Sequence, residues 1–170
     1  ITHAHLDHAG GAAEMQEKSG VPIIGPQAAD QFWIDRIMET GRMYGVPEAR
    51  VFTPDRWLED GDVVTLGQTS WDVRHCPGHT PGHVIFFNRA ARFAQVGDVL
   101  FKGSVGRTDF PMSDPSALIR SVVEKLWPLG DDVTFVPGHG PISTFGEERR
   151  TNPFVSDQAL TRAPIIRPAS

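Results

Sequence analysis

Four side chains able to bind a metal ion fall within six positions near the start of the chain: His3, His5, Asp7 and His8, in the stretch THAHLDH (2–8). The whole sequence has seven histidines, so this concentration asks for a chemical reason. His3 and His5 are two apart. On extended backbone they leave the same face and can grip one ion. Asp7 and His8 follow at a turn toward a helix, offset so that they face a different ion. Gly10 and Gly11 let the backbone pack closely behind them. Further along, His79 stands in PGHTPGH (77–83), Asp98 in VGDVLF (96–101) and His139 in PGHGP (137–141). Asp98, beside Gly97, reads as an exposed carboxylate placed to bridge two ions. The donors are imidazole nitrogens and carboxylate oxygens with no neighbouring thiolate. That set suits zinc, iron or manganese in an open site better than a closed structural zinc site.

Simpler readings compete for several of these residues. His75 reads as a packed or surface histidine, and His83, at the opening of a strand, as a residue that orients a ligand rather than binding metal itself. Cys76 has no second cysteine to share a site with and reads as buried and inert. The Gly-Pro turns at 77–82 and 137–141 are, taken singly, ordinary punctuation. What separate turns do not explain is the placement of every His/Asp cluster at or just past a strand end, where a layered fold gathers distant sequence into one cleft.

The elements that must do this gathering follow from period and punctuation. Ile1 reads as the last residue of a strand, 10–20 as a helix stopped by Gly20, 21–25 as a short buried strand, and 28–40 as a second helix. Loop-rich sequence runs over 41–61. Strands are expected at 62–66, 69–76, 83–88, 92–101 and 132–141, with a helix at 115–127 that starts on Pro115 behind an Asp114 cap. Strands alternating with helices make an α/β layered domain. It is expected over 1–155, with 156–170 as a loose tail carrying Pro164 and Pro168. The 170-residue chain has 39% hydrophobic residues, which fits a folded domain with a sizeable core. No apolar run reaches the roughly 18 residues a membrane-spanning helix needs. A formal charge of −5 and pI near 5.8 argue against a nucleic-acid partner. Arg149 and Arg150 lie beside Glu147 and Glu148 and read as a solvated mixed-charge face. A single cysteine excludes an intrachain disulfide and fits a reducing, cytoplasmic setting. The expected partner is a small-molecule substrate, with no membrane; the oligomeric state is open.

Taken in order, THAHLDH, PGHTPGH, VGDVLF and PGHGP resemble the metal-binding motifs of the metallo-β-lactamase fold. GRTDFP (106–111) and FGEERRTNPF (145–154) are similar to features of its glyoxalase II-like hydrolases, in the short bacterial form without an extra helical domain. The resemblance implies a four-layer αβ/βα sandwich with metals at one edge. That fold places its first strands ahead of the HxHxDH motif, so strands are expected to be missing at the N-terminal side of this chain, or to come from another chain. Carried over by motif, His3, His5 and His79 hold one ion, Asp7, His8 and His139 the other, and Asp98 bridges. The implied activity is hydrolysis of a thioester such as S-lactoylglutathione by a hydroxide bridging two divalent ions, zinc first, with iron or manganese as alternatives. Asp7 would orient that hydroxide and handle its proton. Arg107 would meet the thiol-peptide moiety; its competing reading is a structural pair with Asp109. A sister branch with a similar GRTDF stretch implies a one-iron persulfide dioxygenase, held by two His and one Asp. A non-catalytic metal-binding module is a third reading. It predicts broken ligand positions, and all seven are intact.

Overall fold

The computed structural model describes residues 1–162. Short helices come first: α1 (Leu6–Ala9), α2 (Ala12–Ser19), a 3-10 turn at Ala28–Asp30, α3 (Gln31–Asp35) and α4 (Ile37–Met43). β1 (Val63–Leu66), β2 (Thr69–His75), β3 (Val84–Asn88) and β4 (Phe93–Gly97) then form an antiparallel run. A small hairpin follows, β5 (Leu100–Phe101) with β6 (Ser104–Val105), and then α5 (Pro115–Ser121). β7 (Thr134–Pro137) returns parallel to β4, and β8 (Ser143–Thr144) pairs antiparallel with β7. The sheet order is β1-β2-β3-β4-β7-β8. α6 (Phe145–Thr151) and α7 (Asp157–Arg162) complete the described chain.

Side-chain alternation on the strands sorts the two faces of this sheet. Ile85 and Phe87 of β3, with Ala94, Val96 and Phe135, pack against Leu118, Val122, Leu126 and Phe145 from the helices on one side. Val73, Val84 and Leu58 form the opposite face, with Ile24 and Phe86 against them. A third cluster, around Trp33, Ile34, Ile37 and Phe52, seats Ala4 and Ala9 of the first histidine motif. The architecture is the mixed α/β one expected. Val84 N donates to Thr2 O at 2.8 Å, which ties the start of the described chain to the head of β3.

Several elements differ from the sequence expectations. Residues 21–25 form no strand: only Ile24 bridges, to Arg56 in parallel. Asp55 explains this, since its carboxylate takes the Ile23 N–H at 2.7 Å while its own N–H donates to Ile23 O, so a side chain occupies the place of a pairing strand. The helix expected over 10–20 begins earlier, at Leu6, and is divided at Gly10–Gly11. The one expected over 28–40 breaks at Arg36 and runs on to Met43. β4 ends at Gly97, where a register shift against β7 turns Asp98 out of the ladder. The tail assigned to 156–170 is helical over Asp157–Arg162, because the Ser156 hydroxyl accepts from Ala159 N and Asp157 pairs with Arg149 of α6. Pro164 and Pro168, on which the tail reading rested, lie outside the described residues. The expected helix after Asp114 is present, and the Asp114 carboxylate accepts from Ala117 N at 2.9 Å.

Candidate metal centre

The four motifs meet at one edge of the sheet. His3 and His5 sit on extended chain just before α1, Asp7 and His8 within α1, His79 in the β2–β3 loop, Asp98 just past β4, and His139 just past β7. Three groups have ligand atoms within 4.8 Å of one another: His3/His5/His79, His3/His8/Asp98 and Asp7/His8/His139. His5 Nδ1 and His79 Nε2 face each other at 2.9 Å, and His8 Nε2 and His139 Nε2 at 3.3 Å. Asp98 stands between the two trios. Its Oδ1 lies 3.4 Å from His8 Nε2, and its Oδ2 lies 3.6 Å from both His79 Nε2 and His139 Nε2. Asp7 Oδ2 is 3.0 Å from His139 Nε2. All seven side chains predicted from the sequence are therefore brought together.

Hydrogen bonds decide which ring atom each histidine presents. His79 Nδ1 donates to the carbonyl of Arg107 at 2.8 Å, which leaves the Nε2 lone pair facing the cluster. Thr2 Oγ1 is 3.1 Å from His3 Nδ1, so His3 Nε2 points inward. His83 is fully buried, stacks on His3 at 4.5 Å, and accepts the Asp98 N–H at 3.0 Å through Nε2. It braces Asp98 and lies outside all three trios, in keeping with an orienting role. His75 is elsewhere, donating Nε2–H to the Pro81 carbonyl at 2.8 Å.

Burial pushes the His3 imidazole well below its ordinary pKa, helped by the neighbouring imidazoles, and lowers His5 to about 3. His79 is lowered for the same first reason. These rings are neutral at pH 7, the form that donates a lone pair to a metal. His8 differs: burial opposes its charge, but the Asp98 carboxylate 3.4 Å away and the Asp7 charge outweigh burial and raise its pKa. Asp98 is lowered against its own burial by His8, His79 and His139. Among the described residues, His3 Nε2 and Asp98 Oδ1 are buried with no hydrogen-bond partner. Orphaned polar atoms of this kind mark a missing partner, and a divalent cation among imidazole and carboxylate donors satisfies both. The residues fit such a group.

The trios differ in access. His3 and His79 are buried, whereas the Asp7 and His139 side chains are more than half exposed and open onto a pocket of about 400 Å³. Phe101, Phe110 and Arg107 line that pocket along with the ligands. The Arg107 guanidinium forks onto Asp109 at 3.0 and 2.7 Å and lies over the Phe110 ring. The pairing of Arg107 with Asp109 is thus present, its side chain lines the pocket, and its backbone carbonyl orients His79. Sequence reasoning missed Phe101 and Phe110 as walls, Thr2 as a brace for His3, and Asp30. Phe110 lies in GRTDFP, Phe101 closes VGDVLF and Thr2 opens THAHLDH, so each stood in a noted motif; Asp30 had no such signal.

The model of the Metallo-beta-lactamase superfamily matches residues 1–139. The chain is 41% identical over 160 residues to the hydroxyacylglutathione hydrolase GloC of Haemophilus influenzae, covering 94% of this chain and 76% of that protein. Among solved structures, it is similar to TTHA1623 in a di-iron-bound form, with TM-score 0.80, 39% identity, and coverage of 90% of this chain and 74% of that one. The BLEG-1 B3 metallo-β-lactamase superposes with TM-score 0.81 at 32% identity, covering 91% and 74%. This chain belongs to the metallo-β-lactamase superfamily. Within it, the chain is a metallo-hydrolase.

Proposed function

We propose that this protein hydrolyses small thioesters of the S-lactoylglutathione type, using two divalent ions. His3, His5 and His79 hold one, Asp7, His8 and His139 the other, with Asp98 between them. The observation that carries the reading is the convergence of an all-imidazole trio and a carboxylate–imidazole trio on one carboxylate, Asp98. The names of GloC and of the di-iron TTHA1623 structure support it. When bound, the ions supply a more acidic water and a Lewis acid for the substrate carbonyl.

The chain's own residues do the rest. His79 and His3 are held in one orientation by Arg107 O and Thr2, so two of the three rings are set in place beforehand. Asp7, open to the pocket and beside His139, orients the attacking water and passes its proton toward the departing sulfur. A thioester suits such a site because a thiolate leaves readily. Phe101 and Phe110 flank the acyl group and exclude water beside it, while Arg107 offers a cation to a substrate carboxylate. None of the described helices is long and apolar enough to cross a membrane. We take the setting to be cytoplasmic and the partner to be the small-molecule substrate alone.

The test is turnover by protein reconstituted with zinc, iron or manganese. The panel holds S-lactoylglutathione and simpler thioesters, nitrocefin, and a persulfide with oxygen uptake recorded. Thioester cleavage with two metals per chain supports the proposal. Brisk nitrocefin turnover without thioester cleavage, or oxygen uptake on one iron, overturns it.

A further inference from the structure

Asp30 is fully buried and, among the described residues, has no ion-pair partner. Its carboxylate is nonetheless spoken for. Oδ2 accepts the Ala4 N–H at 2.8 Å and the Thr80 hydroxyl at 3.0 Å, and Oδ1 accepts the Gly82 N–H at 2.5 Å. Ala4 lies between His3 and His5. Thr80 follows His79, and Gly82 precedes His83, the ring that stacks on His3 and receives the Asp98 amide. One carboxylate therefore grips both loops that supply the three-histidine trio. Its partners include no residue of α1 and none of the loop carrying His139.

We propose that Asp30 is the positioning residue of the three-histidine half of the centre, fastening the His3–His5 segment to the His79–His83 loop so that three imidazoles share one fixed geometry. The inference rests on the metal-binding part of the proposed function, not on its thioester substrate. Ala4 sits mid-way between two ligands pointing the same way, so rotating its peptide swings both rings off target. The approach of the turn at 27–30 to the second loop is close enough to require glycine there. A Cβ on Gly82 would lie 2.4 Å from Gln27 O and 2.5 Å from Asp30 N, and Gln27 N itself donates to Gly82 O at 3.0 Å. Three donors on a buried group demand a carboxylate. Asparagine would replace one accepting oxygen with an N–H₂ that faces a donor, leaving a buried N–H unpaired.

The experiment is a competition titration of metal-free protein with Co²⁺ and with Zn²⁺, using a chelator of known affinity. Wild type is compared with Asp30→Asn and with Thr80→Val, which removes only one of the three hydrogen bonds. Each change is also made in the His139→Ala background, where only the three-histidine site is left whole, and in His79→Ala, where only the other is. Asp30→Asn is expected to weaken binding about 10- to 100-fold in the His139→Ala background, the range seen when groups behind metal ligands are removed. In the His79→Ala background it should change binding less than about twofold on the same scale. Thr80→Val should give a smaller loss at the same site, with altered Co²⁺ absorption bands. Equal weakening of both sites, or no change at either in protein with native circular dichroism, overturns the proposal. Should Asp30→Asn not fold, Thr80→Val decides between the same two outcomes. No thioester enters the measurement, so failure of the substrate reading leaves this result standing, and the converse holds too.

Discussion

Replacing Gly138 with alanine tests the geometry around Asp98 with a single methyl group. A Cβ built on Gly138 lies 2.0 Å from Asp98 Oδ1 and 2.6 Å from His8 Cε1. Real Cβ contacts stay beyond 3.0 Å, so the carboxylate oxygen must withdraw by about 1 Å or the glycine backbone must retreat. Retreat is resisted, because Gly138 N donates to Gly97 O at 2.8 Å and holds this loop to the end of β4. Asp98 has little freedom of its own while His83 holds its amide. The displacement therefore falls on the oxygen that faces His8. Outer contacts of this kind change metal affinity by about 10- to 100-fold. That corresponds to about 1.4–2.8 kcal/mol at 25 °C. A misplacement of about 1 Å costs on the order of 100-fold in turnover. The assay is metal content after dialysis against a chelator, followed by kcat on a thioester, with Gly11→Ala as control, since a Cβ there meets nothing within 4 Å. Gly138→Ala protein that keeps both ions at wild-type affinity would refute the reasoning.

Other outcomes follow from the same geometry. The metal-free protein should lose stability as pH falls below about 6.5. His5 has a folded pKa of about 3 and an ordinary value of 6.5 when unfolded, so between those values the unfolded chain binds the extra proton and gains. At pH 5 this imidazole alone removes about 2 kcal/mol, read as a fall in Tm from pH 7 to pH 5, and a flat profile would contradict it. Thr144→Ala should destabilise by about 1 kcal/mol, measured by urea denaturation, because the Thr144 hydroxyl accepts from Glu147 N at the start of α6. Arg107→Ala should raise KM for carboxylate-bearing thioesters several-fold more than for uncharged ones while metal content stays whole. Equal KM values would reduce Arg107 to its pairing with Asp109.

The ligand motifs were legible because each is a local run of chemically distinctive residues beside a strand end, and a sheet brings strand ends together. His83 was legible as a brace for a similar reason, standing at the opening of a strand four residues after His79. Asp30 was not. Its partners are two backbone amides and a hydroxyl, more than 25 residues away in sequence, and backbone amides carry no signature in composition or period. The elements misjudged share a cause as well. At 21–25 the residue types suit a strand, yet the Asp55 carboxylate satisfies the Ile23 amide first. α6 did have a signal, since Thr144 and Glu147 stand at capping-box spacing, but a Gly in its first turn obscured it. α7 depends on Asp157 meeting Arg149, a contact between helices that spacing alone does not announce.

Anomalous diffraction from crystals of metal-reconstituted protein, recorded on either side of the absorption edge of the added metal, addresses the centre directly. Two peaks roughly 3.5–4 Å apart are expected, the separation of paired hydrolytic ions, with the Asp98 carboxylate between them. One peak within His3, His5 and His79, or none, in fully loaded protein would contradict the account.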